Sequence, residues 1–186
     1  CSVDRSLVLA ARSGDEEAFA SIARGSADRL FAIAHRILRD VGRAEDAVPQ
    51  TLVTAWRELP GLREAERFDA WLHRILVHAC YADASRNRRW TLQVRVLPVE
   101  QASDADDFQA ISDHDELERA FRRLSLDQRA VFVLHHHVGL PLVVVAETLG
   151  IPDGTARSRL HYATRALRAA FDETREPIEL RERRPA

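Results

Sequence analysis

The sequence has 186 residues, with 27 basic side chains, all of them arginine, against 29 acidic ones, and a formal net charge of −2. An apolar share of 46% predicts a folded chain, the near-neutral charge excludes a generic polycation, and no apolar run approaches the roughly 18 residues that span a bilayer. The two cysteines, Cys1 and Cys80, cannot form a disulfide framework, which favours a reducing, cytoplasmic location. Because methionine is absent, we expect that the sequence does not begin at a translation start.

Helical periodicity dominates the first half of the chain. Apolar residues recur at helical spacing in three stripes, over residues 30–38, 48–59 and 68–79. Such stripes are the core-facing sides of packed antiparallel helices. Phe68 and Trp71 both belong to the third stripe, so at least one of them is predicted to be a core residue.

An acidic segment separates this half from the next. Residues 91–114 contain one arginine against five acids and lose helical periodicity after Pro98. The segment is therefore predicted to be a flexible linker. The flanking halves each carry a charge of +1, from fourteen arginines against thirteen acids before the linker and twelve against eleven after it.

The second half begins with another helical stripe. Ser125 and Gln128 have the spacing of a capping box, which opens the next helix. Together with the stripes of the first half, this predicts about four helices on each side of the linker. The fold class is all-α, with two small helical domains.

The most informative stretch runs from residue 141 to 162. An apolar helix ends at Gly150, which suits a left-handed C-cap, and Asp153 can cap a second helix. In that second helix, Ala156, Leu160, Ala163 and Leu167 share one side, whereas hydroxyl, imidazole and guanidinium groups occupy the other. This is the layout of a helix-turn-helix whose second helix enters the major groove.

A metal or hydrolase site is a weaker interpretation. His135, His136 and His137 are adjacent and so point about 100° apart on a helix, which prevents joint chelation. His73 and Cys80 share a face without a further ligand. We therefore expect no metal site, no cofactor and no catalytic residues in this chain.

Two blocks of the sequence resemble bacterial sigma factors. The stretches 124–135, 139–140, 146–147, 149–152 and 154–160 resemble sigma region 4, and residues 44–48, 51–57 and 67–75 resemble region 2. Region 2 joined to region 4 by a short linker is the arrangement of the extracytoplasmic-function (ECF) sigma factors. The resemblance implies a region 2 domain at 1–90, a linker at 91–114, a region 4 domain at 115–172 and a charged tail at 173–186.

The resemblance implies a transcription initiation factor that binds core RNA polymerase and opens promoters, while the polymerase performs the chemistry. The −35 element would be contacted by Thr155, Arg157, Ser158, His161, Arg165 and Arg168. The −10 element would be melted and held by Arg63, Arg67, Phe68, Trp71, Arg74, His78, Arg86, Arg88 and Arg89. Aromatic and cationic groups suit that task because they replace the lost base stacking.

Contacts with the polymerase follow from the same resemblance. The β′ clamp helices would meet the helix that carries Asp46, Gln50 and Arg57, and the β flap would meet residues 135–138. Pro49 replaces a glutamine of the family pattern and lacks a backbone N–H, so a kink or restart is expected near Asp46. Val143 and Val144 stand where the family often has glutamates, which indicates an apolar patch for a protein partner such as an anti-sigma factor or the flap.

Two alternatives stay open. A one-component helix-turn-helix regulator explains residues 120–170 but leaves the region 2 resemblance unused. An anti-sigma-like adaptor would lack a reason for arginines that face a DNA groove. No membrane contact by the chain itself is expected.

Overall fold

A computed structural model describes residues 3–93 and 112–175, and within these ranges the chain forms eight α-helices. Four precede the gap: α1 (Arg5–Arg12), α2 (Glu16–Leu38), α3 (Val41–Glu58) and α4 (Phe68–Gln93). Four follow it: α5 (Ser112–Arg123), α6 (Leu126–Phe132), α7 (Leu142–Leu149) and α8 (Asp153–Arg175). The predicted all-α class and the four helices on each side are confirmed, whereas most of the predicted acidic linker lies outside the described residues.

Aspartates begin the first three helices. The carboxylates of Asp4, Asp15 and Asp40 each accept a hydrogen bond from a backbone N–H in the first turn of α1, α2 and α3. These bonds satisfy amides that a helix leaves unpaired at its start. Two short 3-10 helices, Leu59–Gly61 and Ala65–Arg67, then carry the chain from α3 to α4.

Pro49 does not interrupt its helix. The structure has α3 continuous from Val41 to Glu58, so the restart expected near Asp46 does not occur. Proline removes the hydrogen bond to the carbonyl of Glu45, four residues earlier. Both residues are exposed, and water can therefore satisfy that carbonyl.

The junction between α2 and α3 is a strained backbone position. Arg39 ends α2 with a φ of 60°, and within the described residues it is the one non-glycine residue with a positive φ. Its guanidinium pairs with Glu118 of α5 and lies over the ring of Phe121, 5.6 Å from the centroid. Both partners belong to the half of the chain that follows the gap.

The second half contains two of the helix caps that the sequence predicted. Ser125 and Gln128 form the reciprocal capping box at the start of α6. A π-helical turn, Val133–His137, extends α6. Gly150 ends α7 in the left-handed conformation with φ 63°, as its sequence position predicted. Asp153 differs from the prediction, because it is the first residue inside α8 rather than the residue before it.

One apolar core connects the two halves. Buried residues of α1–α4 and buried Ala130, Val131, Val133, Leu134 and Val145 of the second half belong to the same cluster. A smaller cluster joins α5 to α8 through Ala120, Leu124, Ala163 and Leu167. Helix α4 packs on α7, and α2 packs on α6 and the π-helical turn. Among the described helices, none is long and apolar enough to cross a bilayer.

Candidate nucleic-acid interface

Helix α8 separates its side chains into a packed side and an exposed side. Ala156, Ala163 and Leu167 are buried, and Leu160 is half-buried. The residues predicted to face the −35 element lie on the other side, where Arg157, Ser158, His161, Arg165 and Arg168 are exposed and Thr155 is half-buried. Tyr162 adds a ring that is 57% exposed beside them. Helix α8 thus exposes cationic and hydrogen-bonding side chains on one side, while its other side is packed in the protein.

The hydroxyl of Ser158 donates a hydrogen bond within its own helix. Its Oγ donates a 3.0 Å hydrogen bond to the carbonyl of Thr155 within the same helix. The oxygen lone pairs therefore remain available to accept a hydrogen bond from an external group. The amino groups of adenine and cytosine in the major groove are donors of that kind.

A second surface runs along α4. Arg67, Trp71, Arg74 and His78 follow one another at spacings of four, three and four residues, which places them on one side of a helix. Arg67, Arg74 and His78 are exposed, and Trp71 is half-buried. Two adjoining cavities of about 280 Å³ and 440 Å³ share Trp71 and Arg74 in their walls, and Arg63 lines the smaller one. Together the two cavities form a groove whose lining includes the ring of Trp71 and three arginines, with Glu64 and Glu147 in the smaller cavity and Glu58 in the larger one.

Phe68 does not belong to this surface. Its ring is only 2% exposed and lies 5.6 Å from that of Trp71, centroid to centroid. A fully packed ring cannot contact DNA, so the assignment of Phe68 to the −10 set was wrong. Of the two aromatic residues, Phe68 is the core member and Trp71 the one that reaches the groove.

Arg86 continues the α4 surface toward α3. Its guanidinium donates to the amide oxygen of Gln50 at 3.3 Å and lies 3.8 Å from the carboxylate of Asp83. The backbone of α4 includes Arg88 and Arg89, but their side chains lie outside the described part of the chain.

Helix α3 presents three polar groups on its outer side. Asp46, Gln50 and Arg57 are all exposed. Their spacing of four and seven residues keeps them within about 40° of each other around the helix. Trp56, by contrast, is half-buried and packs against Phe19 at 4.9 Å between ring centroids.

The two valines of the predicted partner patch have different surroundings. Val143 is 50% exposed. Val144 is half-buried and lines the 280 Å³ cavity with Trp71 and Arg67. Only Val143 therefore offers apolar surface to a partner while the two halves are packed together.

The described histidines and Cys80 do not come together as a group of metal ligands. Among the described residues, no group of three or more histidine, cysteine or acidic side chains could hold an ion. His135 is engaged through Nδ1, 2.9 Å from the carbonyl of Leu140. Burial lowers the pKa of His73 to about 4 and raises the pKa of the Cys80 thiol to about 12. These shifts keep both groups neutral in the core near pH 7.

Some of the predicted site residues also contact residues of the other half, and the sequence did not suggest these contacts. Arg67 forms an ion pair with Glu147 of α7, with 2.8 Å between Nη2 and Oε2. Asp127 of α6 accepts a 2.6 Å hydrogen bond from Tyr81 of α4, across the two halves, and it also pairs with Arg159 of α8, within the second half, at 2.7 Å. Because these partners are 32 to 80 positions apart, local periodicity carries no signal for them.

Comparison with known proteins finds two family matches in the same order along the chain. Residues 22–91 match the family described as Sigma-70 region 2, and residues 114–167 match Sigma-70, region 4. The chain is 32% identical over 173 residues to the ECF RNA polymerase sigma factor SigL of Mycobacterium tuberculosis, covering 89% of this chain and 97% of that protein. It is 25% identical over 170 residues to the ECF sigma factor SigW of Bacillus subtilis, covering 84% and 90%.

Solved structures agree in fold. The sigma factor RpoE from Bartonella quintana, in complex with the anti-sigma factor NepR, superposes with a TM-score of 0.69 at 24% identity and covers 83% of this chain and 96% of its own. CnrH, in complex with the cytosolic domain of CnrY, superposes with a TM-score of 0.64 at 24% identity and covers 92% and 99%.

Proposed function

The chain belongs to the ECF family of RNA polymerase sigma factors, and on that premise we propose how its residues divide the work of promoter recognition. It is a transcription initiation factor that directs RNA polymerase to promoters. The observation that carries the residue assignment is the presence, on one chain, of an exposed arginine-rich helix face and a separate aromatic groove edged by arginines. The first suits duplex DNA and the second suits unpaired bases.

The exposed side of α8 reads the −35 element. Arg157 and Ser158 contact base edges, while Arg165 and Arg168 contact phosphates and set the orientation of the helix. Thr155 and His161 flank the base-reading pair. Since the hydroxyl of Ser158 donates a hydrogen bond to the backbone carbonyl of Thr155, it contacts DNA as an acceptor, which favours an adenine or cytosine amino group.

The α4 groove holds the melted −10 strand. The ring of Trp71 stacks on an extruded base, an interaction that is worth about 1–3 kcal/mol per base. Arg63, Arg67 and Arg74 neutralise the backbone around it, and His78 extends the surface along the helix. Arg86, with Arg88 and Arg89 at the end of α4, continues the path of the strand.

Core polymerase docks on α3. Asp46, Gln50 and Arg57 face the same direction and are exposed, which suits a polar contact with the β′ clamp helices. Residues 135–138, in and after the π-helical turn, meet the β flap. Gln50 and Arg86 are joined by a hydrogen bond, which supports a polymerase contact adjacent to the path of the −10 strand.

The exposed Val143 is proposed as part of a surface for a protein partner, either an anti-sigma factor or the β flap. One solved structure with the same fold is the sigma factor RpoE in complex with the anti-sigma factor NepR, which supports an inhibitor of this kind for this chain. No membrane contact by the chain itself is proposed.

The polymerase carries the nucleotidyl-transfer chemistry, and the chain acts as a binding and melting factor without catalytic residues, metal or cofactor of its own. Sigma factors are DNA-binding initiation factors rather than catalysts, which supports this division. The protein works in the cytoplasm, where polymerase and chromosome meet.

In-vitro transcription with core polymerase on a randomised promoter library tests the proposal. We expect transcripts from a sequence-defined subset of promoters, lost with Trp71→Leu under conditions where the variant still binds core polymerase. A one-component regulator, the alternative function, would bind its operator without the polymerase and would start no transcript. Absence of initiation by the wild-type chain would overturn the proposal.

A further inference from the structure

A cavity of about 320 Å³ lies where the end of α2 meets α5, α6, the π-helical turn and α8, away from the α4 groove and from the exposed side of α8. Its volume is at the small end of the range of about 300–1,000 Å³ in which proteins bind small molecules. The lining combines four apolar side chains with two histidines and three charged groups. The cavity therefore has the size and the mixed lining of a small-molecule site.

The apolar side of the cavity is mainly aromatic. Val133 and Leu167 are buried, and Phe121 and Phe132 are half-buried. The two phenyl rings meet edge to face, with 5.6 Å between their centroids. Because both rings keep solvent-accessible area, an apolar body in the cavity would remove that area from water.

The opposite side carries more positive than negative charge. Arg36 and Arg39 line the cavity together with one carboxylate, that of Glu118, which pairs with Arg39. Arg36 donates a 3.1 Å hydrogen bond to the carbonyl of Ala32, and within the described part of the chain no carboxylate pairs with it. The guanidinium of Arg36 is therefore left with donors and a full charge for an external anion.

The surroundings of Arg39 show the same excess of charge. Burial, followed by the positive charges of Arg122 and Arg36, lowers the pKa of the Arg39 guanidinium. Burial also lowers the pKa of His136 and of His137, so both rings are neutral near pH 7 and each offers one N–H donor. The histidines add hydrogen-bonding capacity to the cavity without a further charge.

We propose that this cavity binds a small aromatic monocarboxylate, with its carboxylate at Arg36 and its ring against Phe121 and Phe132. One negative charge matches the single uncompensated arginine, whereas a phosphate monoester carries about −1.5 to −2 near pH 7. A guanidinium holds a carboxylate through parallel, charge-assisted hydrogen bonds. His136 and His137 are exposed, so a ligand can enter from solvent on their side. The inference goes beyond the proposed function and does not depend on the promoter assignments.

Isothermal titration calorimetry of the full chain tests the charge requirement. The probe is 1-naphthoate, and 1-naphthamide is the neutral compound of the same shape. We expect naphthoate to bind with a Kd between about 0.1 and 1 mM, and about tenfold more tightly than the amide. Arg36→Gln should weaken naphthoate binding about tenfold, whereas Arg24→Gln, at an exposed position of the same helix, should leave it unchanged.

A second readout locates the bound probe. Naphthoate should shift the ring-proton NMR resonances of His136 and His137, assigned with single histidine variants, and leave those of His78 and His161 in place. Phe132→Leu should weaken binding about threefold, because it removes part of the aromatic wall. Circular dichroism checks that each variant folds. His136→Ala, at an exposed position, changes the cavity without touching the core and should also weaken naphthoate binding.

Failure of the wild-type chain to bind naphthoate at about 1 mM would overturn the inference. Equal affinity for naphthoate and naphthamide, or equal affinity of the Arg36→Gln and Arg24→Gln variants for naphthoate, would overturn it as well. Shifts at His78 or His161 in place of His136 and His137 would put the probe elsewhere and remove the site. These outcomes are separate from promoter initiation: a chain that binds naphthoate but directs no transcription keeps this site and loses the proposed function.

Discussion

The hydroxyl of Tyr81 on α4 donates a 2.6 Å hydrogen bond to the carboxylate of Asp127 on α6, 46 positions away in the sequence. Burial, reinforced by this carboxylate, raises the pKa of the phenol, so the hydroxyl keeps its proton and remains a donor. The same carboxylate pairs with Arg159 of the DNA-reading helix. Asp127 therefore connects three helices from both halves of the molecule.

Removal of either partner is expected to destabilise the fold. Tyr81→Phe and Asp127→Asn should each lower the free energy of unfolding by about 1 kcal/mol, because each removes a charge-assisted bond that solvent only partly replaces. The double variant should lose less than the sum of the single ones. Urea denaturation followed by circular dichroism measures all three. Tyr162→Phe, on a 57% exposed ring, is the control and should match wild type.

Two arginines of α8 are expected to contribute differently to DNA binding, one through a phosphate and one through a base. Arg165→Ala should weaken holoenzyme binding equally on all promoters and reduce the salt slope by about one, since phosphate contacts carry no sequence information. Arg157→Ala should instead relax the preference at one base pair, by about 1–3 kcal/mol of discrimination. Binding to a library of −35 variants measures both. A changed base preference in Arg165→Ala would contradict its assignment, and Arg24→Ala on α2 serves as the control.

The two valines of α7 should respond differently to a charge. Val143→Glu is expected to leave the free energy of unfolding within about 0.5 kcal/mol of wild type, because the side chain is half exposed, while it weakens partner binding. Val144→Glu should destabilise by at least about 1 kcal/mol, because it places a carboxylate in the cavity wall beside Trp71. Pull-down of core polymerase, together with urea denaturation, separates the two. Unchanged binding of every partner by Val143→Glu would refute the patch.

Stability should decline on acidification because of His73. Its pKa in the fold is about 4 against an ordinary 6.5, since burial and the nearby Arg29 disfavour the charged ring. The unfolded chain then binds more protons between these values, so the contribution is present above pH 6.5 and is lost as pH falls toward 4. The loss amounts to about 3 kcal/mol across that window.

Urea denaturation at about pH 7 and about pH 5 measures this effect. In His73→Leu the difference between the two pH values should shrink by about 2 kcal/mol, whereas His78→Gln, on an exposed position of the same helix, should keep it. An identical pH dependence in wild type and His73→Leu would show that other groups dominate.

The Cys80 thiol should be inert in the folded chain. Burial raises its pKa to about 12, and the side chain has 0% exposure, so little thiolate forms and reagents have no access. In a Cys1→Ser chain, Ellman's reagent should detect no thiol under native conditions and one in denaturant. Rapid reaction of the folded protein would contradict the packing of α4.

The sequence was informative where a structure depends on neighbouring residues. The capping box at Ser125, the left-handed Gly150 and the two sides of α8 follow from local spacing, and all three were predicted. Phe68 and Trp71 were harder to separate, because residues three positions apart differ by only about 60° around a helix. A kink or restart was expected near Asp46 because of Pro49, and the helix does not restart, since an exposed position lets water replace the lost bond.

The contacts between halves could not be predicted from the sequence. Arg67 and Glu147 are 80 positions apart. From the sequence, each is predicted only to be a charged side chain on an exposed helix face. What brings them together is the packing of α4 on α7 in a shared apolar core. Periodicity shows which side of a helix is apolar, but it does not show which other helix covers that side.

Arg39 links the conformation of one backbone position to the association of the two halves. A left-handed arginine costs of order 1 kcal/mol relative to an ordinary residue at a helix end. In the structure this cost is offset by the pairing with Glu118 and the contact with Phe121, both on α5. Separation of α5 from α2 removes the compensation while the strain remains. The last turn of α2 would then fray, so that movement of the DNA-binding half is transmitted into the end of a core helix in the other half.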